Sequence, residues 1–359
     1  MKEPFKAEFI ESALQKLDKR EYFDELIDAT SHMGIYLTAL KRSIAEESCT
    51  RSMLWKENFH STSMEGTCTS LEESLENKAT NETSTSNKDL DNYTNALNSG
   101  LSYLIRDGRF SEEMLLEMHR ILLSGNVHKT SENTGRYRVK QNYIKDEATK
   151  DVSFTPPAPS NVKKLMDNLL SYMNNSSPTQ RNLVNAALIH AQFETIHPFE
   201  DGNGRIGRMI IVLYLFFTHE IDRLYLFLSE AIEKEKYRYY KLLNDIRSNG
   251  AWNEWVKFFL DIVNKQSIKY SENIVKIEKL YTRSIQVIDE KCSSKIAKQV
   301  FECFFKMPIH TSKSIAKETG LSNTAINRAL DKLVEFNLVF SNHQKRNTLY
   351  VFYELIDLI

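Results

Sequence analysis

Twelve consecutive residues, "HPFEDGNGRIGR" from His197 to Arg208, combine a histidine, two acids, three glycines, an asparagine and two arginines. Such a mixture suits chemistry on a phosphate. Pro198 disfavours helical backbone at the residue before it, so His197 stands where the amphipathic run "NAALIHAQFETI" ends. Gly202 and Gly204 tolerate positive φ or close backbone approach, and an apolar helix begins directly after them. The unpaired N–H groups of that helix start, with the helix dipole, form an anion seat. Arg205 and Arg208 lie three apart and reach over the same end to clamp further phosphates. Asp201 offers a hard oxygen beside the seat, and magnesium typically joins one or two carboxylates to substrate phosphates. His197, with a reference pKa of about 6.5, is a general base for an attacking hydroxyl. The expected reaction is nucleophilic attack on a metal-nucleotide phosphate, with no covalent protein nucleophile.

Helices must position these residues. Only 11 Gly and 7 Pro punctuate 359 residues, so long helices with short connections are expected in a mainly α fold. Helical spacing runs through 5–56, resumes at Leu90 and again in "SEEMLLEMHRILL", where Ser111 is an N-cap. Between them, Asn77 to Lys88, "NKATNETSTSNK", offers almost nothing to bury and is expected to be a mobile loop. "GRYRVKQNYIKDEATKDVSFTPPAP" is β-prone at both ends and polar in the middle, which predicts a hairpin with a long tip. Helices are expected near 160–174, 178–195 and 205–218, then from Trp252 to about Asp289. From 293 to 353, three helical runs and two strand-like runs around a basic tip read as a winged helix-turn-helix.

Composition excludes more than it assigns. Lys plus Arg (47) balances Asp plus Glu (48), so net charge predicts neither nucleic-acid nor membrane binding. The longest apolar run, Met209 to Phe217, is far short of the roughly 20 residues a membrane helix needs. Four scattered cysteines, without metal spacing or a preceding signal segment, are expected to be reduced thiols of a cytoplasmic protein. His190 and Glu194, four apart on a helix, lack a third ligand at zinc spacing and read as packing residues. His60 and His119 stand alone and carry no readable chemistry.

"HPFEDGNGRIGR" resembles the Fic-domain signature H-x-F-x-D/E-G-N-G-R-x-x-R at every position, and the likeness extends to "HAQFETI" and "YYKLLNDIRSNGAWNEWVKFFL", over roughly Phe5 to Val263. The resemblance implies a Fic-fold helical bundle with a β-hairpin flap, moving AMP from ATP to a Tyr, Thr or Ser hydroxyl of a target protein, itself included. It makes His197 the base and Asp201 the Mg2+ ligand. Gly202, Asn203 and Gly204 become the anion hole, Arg205 and Arg208 hold the β- and γ-phosphates, and Phe199 anchors the loop in the core. The relative Doc, which phosphorylates its target, has lysine where Gly204 stands, so the resemblance favours AMP over phosphate. It also makes the hairpin a docking edge for target backbone through Asn142, Tyr143 and Ile144. Tyr239 and Tyr240 are candidates to line the nucleoside pocket, at positions where aromatics also serve the core.

"STSMEG", Ser61 to Gly66, resembles the inhibitory motif S/T-x-x-x-E-G/N of self-inhibited Fic proteins. Its physical sense is that Glu65 pairs with Arg208 and removes the cation that would seat the γ-phosphate. In some members the corresponding glutamate also supports hydrolytic removal of AMP.

The expected organisation is an N-terminal helical region 1–98 carrying the inhibitory motif 61–66, a Fic core 99–264 with flap 136–157, a helical linker 265–292 and a winged helix 293–359. Residues 293–353 hold nine Lys or Arg against four acids, a net of +5. Asn323, Asn327 and Arg328 are groove-facing candidates and Lys345 and Arg346 phosphate candidates, which permits DNA contact; winged helices also dock proteins and support homodimers. Two readings therefore stand: a self-inhibited AMP transferase, and a DNA-binding regulator whose Fic domain senses nucleotide. His197, which a sensor does not need, favours the enzyme.

Overall fold

A helix that is apolar on every side has nowhere to go but the centre, and two such runs flank the twelve-residue motif. In the computed structural model, which describes residues 3–66, 70–80, 85–125, 133–145, 149–175, 182–344 and 348–358, these are Asn182–Ile196 and Asn203–Phe217. Every residue of Asn182–Ile196 is buried. Around this pair pack Ile10–Gln15, Glu112–Leu122, Pro159–Asn175 and Lys236–Asn249. Ser111 caps the second of these by accepting the Met114 N–H, as its residue type predicts.

The chain divides into two compact units. One holds residues 1–33, 60–65 and 89–267, and the other 34–59, 66–88 and 268–359. The first 98 residues contribute to both units, and residues 265–291 are part of one uninterrupted helix, Trp252–Lys291.

In the first unit the expected hairpin is present but short. Ile144–Lys145 pairs antiparallel with Val152–Phe154, in the register Ile144 to Phe154. Its tip, 146–148, lies outside the described residues.

The second unit contains Lys295–Lys306, Ser312–Thr319 and Asn323–Glu335 with a three-stranded antiparallel sheet. Tyr350–Val351 is the middle strand, between Ile309–His310 and Phe340–Ser341. Thr311 and Ser314 form a capping box at the second helix, which Gly320 ends at φ 70°. The strand at Ile309–His310 lies in text that showed no strand pattern.

One expectation is corrected here. Asn77 to Lys88 is not a loop throughout, because Leu71–Thr80 and Thr85–Asp107 are helices and only 81–84, outside the described residues, separates them. The reason is tertiary: Leu75 and Ala79 are buried against Ile309 and Val351, with Trp55 alongside. The Thr311 hydroxyl also donates to the Ala79 carbonyl at 3.4 Å. Two apolar residues one turn apart, given a sheet to cover, outweigh a polar and weakly helical local sequence.

Candidate active site

His197 leaves its helix at φ +50°, a left-handed turn that non-glycine residues rarely adopt, with its N–H still donating to Phe193 O at 2.9 Å. The turn is held from outside. The Arg138 side chain, buried, donates to the carbonyls of His197 (2.8 Å), Ile196 (3.3 Å) and Pro157 (2.5 Å), while the Arg138 N–H donates to Pro198 O at 2.9 Å. Four bonds from one residue thus tie the motif loop to the hairpin's flanks. Burial, with Arg247 and Arg138 nearby, pushes the His197 pKa from 6.5 down to about 3, so the ring is neutral at pH 7. A neutral imidazole is what a general base requires.

The loop after it is closed by its own side chains. Asn203 accepts the Phe199 N–H and donates to the Phe199 carbonyl, both at 2.9 Å. Its side chain is spent on the loop, so its share in an anion seat is the backbone N–H at the helix start. Phe199 is buried and stacks on His119 with centroids 3.9 Å apart and planes 6° off parallel. His119 accepts the Gly135 N–H on Nδ1 (2.9 Å), which leaves Nε2–H to donate to the Asp201 carbonyl (3.1 Å). Burial lowers its pKa to about 4, so the ring keeps this neutral tautomer. A histidine with no readable chemistry in sequence thus orients Asp201. Gly202 caps the Asn203–Phe217 helix at φ 75°, with its N–H donating to Asp201 Oδ1 at 2.7 Å.

Both motif arginines are buried, and they differ in partners. Arg205 has no hydrogen-bond partner on Nε, Nη1 or Nη2 among the described residues; Asp201 Oδ2 stands 4.0 Å away. Arg208 donates to the Ser61 hydroxyl (2.8 Å), the Ser61 carbonyl (2.7 Å) and Glu65 Oε1 (2.9 Å). Ser61 is in the last turn of the Glu46–Ser63 helix, and Glu65 sits in the turn that follows rather than on the helix itself. His60, next to Ser61, bonds Glu233 at 2.5 Å and fixes that helix end from the other side. Gly204 lies directly against the pairing: a Cβ there would crowd Glu65 Oε1 and stand 2.9 Å from Arg208 Nη1, so both side-chain ends would have to shift.

A cleft of about 1030 Å³ opens over these groups. Glu65, Asn142, Tyr143, Ile144, His197, Gly204, Arg208 and Tyr239 all line it, so residues from four separated sequence stretches meet there. Asp201, Gly202, Asn203 and Arg205 are not among its lining residues; Asn203 and Arg205 are buried, and the Asp201 side chain is 44% exposed. Asn142 turns its amide inward to the carbonyls of Phe199 (2.8 Å) and Glu200 (3.4 Å), leaving Tyr143 and Ile144 as the hairpin's outward candidates. Tyr239 is fully buried with its hydroxyl 2.9 Å from His190 Nε2, whereas Tyr240, edge-on to it, is half exposed. His190 is accordingly a packing residue.

Sequence reasoning missed Arg138, His119 and Arg247. Arg247 donates to Thr195 Oγ1 (3.2 Å) and Glu194 O (3.1 Å) and lies 3.8 Å over the Phe154 ring, joining two helices to the hairpin. No local signal marks a buried basic residue. As for magnesium, no cluster of three or more His, Cys, Asp or Glu is present among the described residues, and the donor set is one exposed carboxylate. That fits an ion completed by substrate phosphates rather than a protein cage.

These features define a class: a helical protein with a glycine-capped helix start, two buried arginines on its first turns and a neutral histidine beside it. Residues 109–215 match the Fic/DOC family. Among its relatives is Protein adenylyltransferase Fic of Drosophila grimshawi, 25% identical over 266 residues, covering 71% of this chain and 50% of that one. The chain spans about half the length of the curated relatives it matches. Two solved structures share the fold. One is a Fic family protein from Desulfovibrio desulfuricans G20, with TM-score 0.58 at 19% identity over 94% of this chain and 97% of that one. The other is a Fic domain containing signaling protein from Bacteroides thetaiotaomicron, with TM-score 0.57 at 19% identity over 70% and 97%. Among the described residues no helix is long and apolar enough to cross a membrane.

Proposed function

We propose that this chain transfers AMP from ATP to a hydroxyl of a target protein and is held in check by its own Glu65. The observation that carries the reading is the unequal state of the two arginines. Arg205 is a buried cation without a hydrogen-bond partner among the described residues, its nearest carboxylate being Asp201 at 4.0 Å, which favours a further anion, and Arg208 is occupied by Ser61 and Glu65. In the reaction, His197 Nε2 takes the proton of the target hydroxyl, and the oxygen so freed bonds to the α-phosphorus. The bond from phosphorus to the pyrophosphate oxygen breaks, and pyrophosphate leaves with the electron pair. Backbone N–H groups at Gly202 to Gly204 and the two arginines hold the phosphate charge as it shifts. Asp201 would hold Mg2+, which neutralises phosphate charge when bound. Tyr143 and Ile144 would present the target backbone, and Tyr240 with Tyr239 would wall the nucleoside.

The pairing of Glu65 with Arg208 supports inhibition directly, since a γ-phosphate and a carboxylate compete for one guanidinium. Because Glu65 lines the same cleft as His197, hydrolytic removal of AMP at this site is the second reading. The helix 323–335 also exposes Asn323, Asn327 and Arg328, which supports a partner, DNA or protein, for the second unit; Lys345 and Arg346 lie outside the described residues.

The test is transfer of label from α-labelled ATP with Mg2+ in the parent, Glu65→Gly, and Glu65→Gly with His197→Ala. Label in the second that vanishes in the third supports the reading. No label in the second, with ATP still bound, overturns it.

A further inference from the structure

Glu194 has had no task so far beyond filling space on its helix. Its residue is 7% exposed, yet it borders the cleft. Oε1 is buried without a hydrogen-bond partner among the described residues, and so is Nδ1 of His197, although the Glu194 backbone carbonyl also lies near the His197 ring. The two side chains face each other: Glu194 Oε2 lies 3.9 Å from His197 Nδ1. Room for the carboxyl is made by the motif helix itself, because a Cβ on Gly207 would clash with Glu194 Oε1. An acid whose Oε2 lies 3.9 Å from the back of the base, with its other oxygen unbonded among the described residues and a glycine beside it, is a constellation that packing alone does not require.

We propose that Glu194 is the positioning residue for His197. Its carboxylate accepts the Nδ1–H, holds the ring in the tautomer that leaves Nε2 bare toward the target hydroxyl, and stabilises the imidazolium formed when that proton arrives. The inference rests on the AMP-transfer reading above. The arrangement follows the logic of a base oriented by a third group. At 3.9 Å the contact is longer than a hydrogen bond, within the range that catalytic contacts tighten in the reacting complex. After transfer, His197 returns its proton to solvent, and Glu194 ends the cycle unchanged.

The charges around Glu194 set when it can act. Arg208 faces it from the motif helix, Arg247 and Tyr239 from the Lys236–Asn249 helix, Glu65 from the inhibitory turn, and His190 and His197 from its own stretch. Burial raises its pKa to about 7, opposed by Arg208 and Arg247 and reinforced by Glu65. Removing Glu65 therefore lowers it and favours the carboxylate.

The experiment uses the full chain in the Glu65→Gly background, comparing Glu194→Gln, Glu194→Asp and His197→Ala. Nitrogen-15 spectra of labelled histidine report the His197 tautomer, its signals being those absent in His197→Ala. The expected result is an Nδ1–H tautomer in the Glu65→Gly chain and a mixture with Glu194→Gln. AMP transfer is expected to drop about 10²-fold in kcat with Glu194→Gln, at unchanged KM for ATP, and to recover partly with Glu194→Asp. The Glu65→Gly chain should also lose rate as pH falls through the Glu194 pKa, and Glu194→Gln should lack that limb. An unchanged tautomer with an unchanged pH limb overturns the inference while leaving the AMP-transfer reading intact. If no AMP is transferred even with Glu65→Gly, the transferase reading fails, and the tautomer alone decides whether Glu194 orients His197.

Discussion

Arg205 and Arg208 stand one turn apart on the same helix and are both buried, but one is a cation without a hydrogen-bond partner among the described residues and the other is bonded three times over. A buried charge without a partner is expensive, and a buried charge with one is far less so. The difference teaches that the fold leaves one motif guanidinium without a hydrogen-bond partner among the described residues while an internal acid engages the other. On the proposed reading, the first serves catalysis and the second restraint, three residues apart in sequence.

The sharpest way to break this comparison is to remove what both arginines serve. His197→Ala in the Glu65→Gly chain is expected to cut labelled-AMP transfer by about 10²- to 10⁴-fold, the scale of a general base. Filter binding of ATP should be unaffected. Next, Glu65→Gly should raise transfer over the parent by roughly 5- to 150-fold, the range of a single coupling interaction. Steady-state label incorporation checks it, and equal rates in two folded proteins would remove the brake from the argument. Ser61→Ala removes one neutral acceptor of Arg208 and leaves the Ser61 carbonyl in place, so activation of only about 2- to 10-fold is expected.

Stability sharpens the same contrast. Arg205→Met should leave the nucleotide-free melting temperature unchanged or higher, since it deletes a buried charge that no described residue hydrogen-bonds, while abolishing the upward shift that ATP with Mg2+ produces. A several-degree fall without nucleotide would show that Arg205 is already satisfied. The smallest effect concerns His190, whose pKa burial depresses from 6.5 to about 3. The folded protein binds fewer protons there than the unfolded chain, so this contribution is complete above about pH 6.5 and is lost as pH falls toward 3. Chemical denaturation of His190→Gln across that window should show a shallower pH slope than the parent.

The parts of the fold that were legible were those with strong local signals. The motif helix was expected at 205–218 and is Asn203–Phe217; the helix before it was expected at 178–195 and is Asn182–Ile196. Pro156 and Pro157 marked the end of the hairpin, which closes at Phe154. What failed was Asn77 to Lys88, where polar composition hid two helix ends, one of them carried by burial of Ala79 against a strand more than 200 residues away.

By itself, the sequence determined the local layout of the motif: a histidine before proline, glycines at a helix start and two arginines at one-turn spacing, because those properties depend only on residue type and short separations. The tertiary structure alone decided which cations are engaged and which side chains hold His197 and Asp201. The Ser61–Glu65 turn reaches Arg208 across more than 140 residues, Arg138 holds His197 from the hairpin side, and His119 sets Asp201. A hydrogen bond is a matter of ångströms and angles, and spacing along a chain cannot supply those for residues that meet only when the core closes.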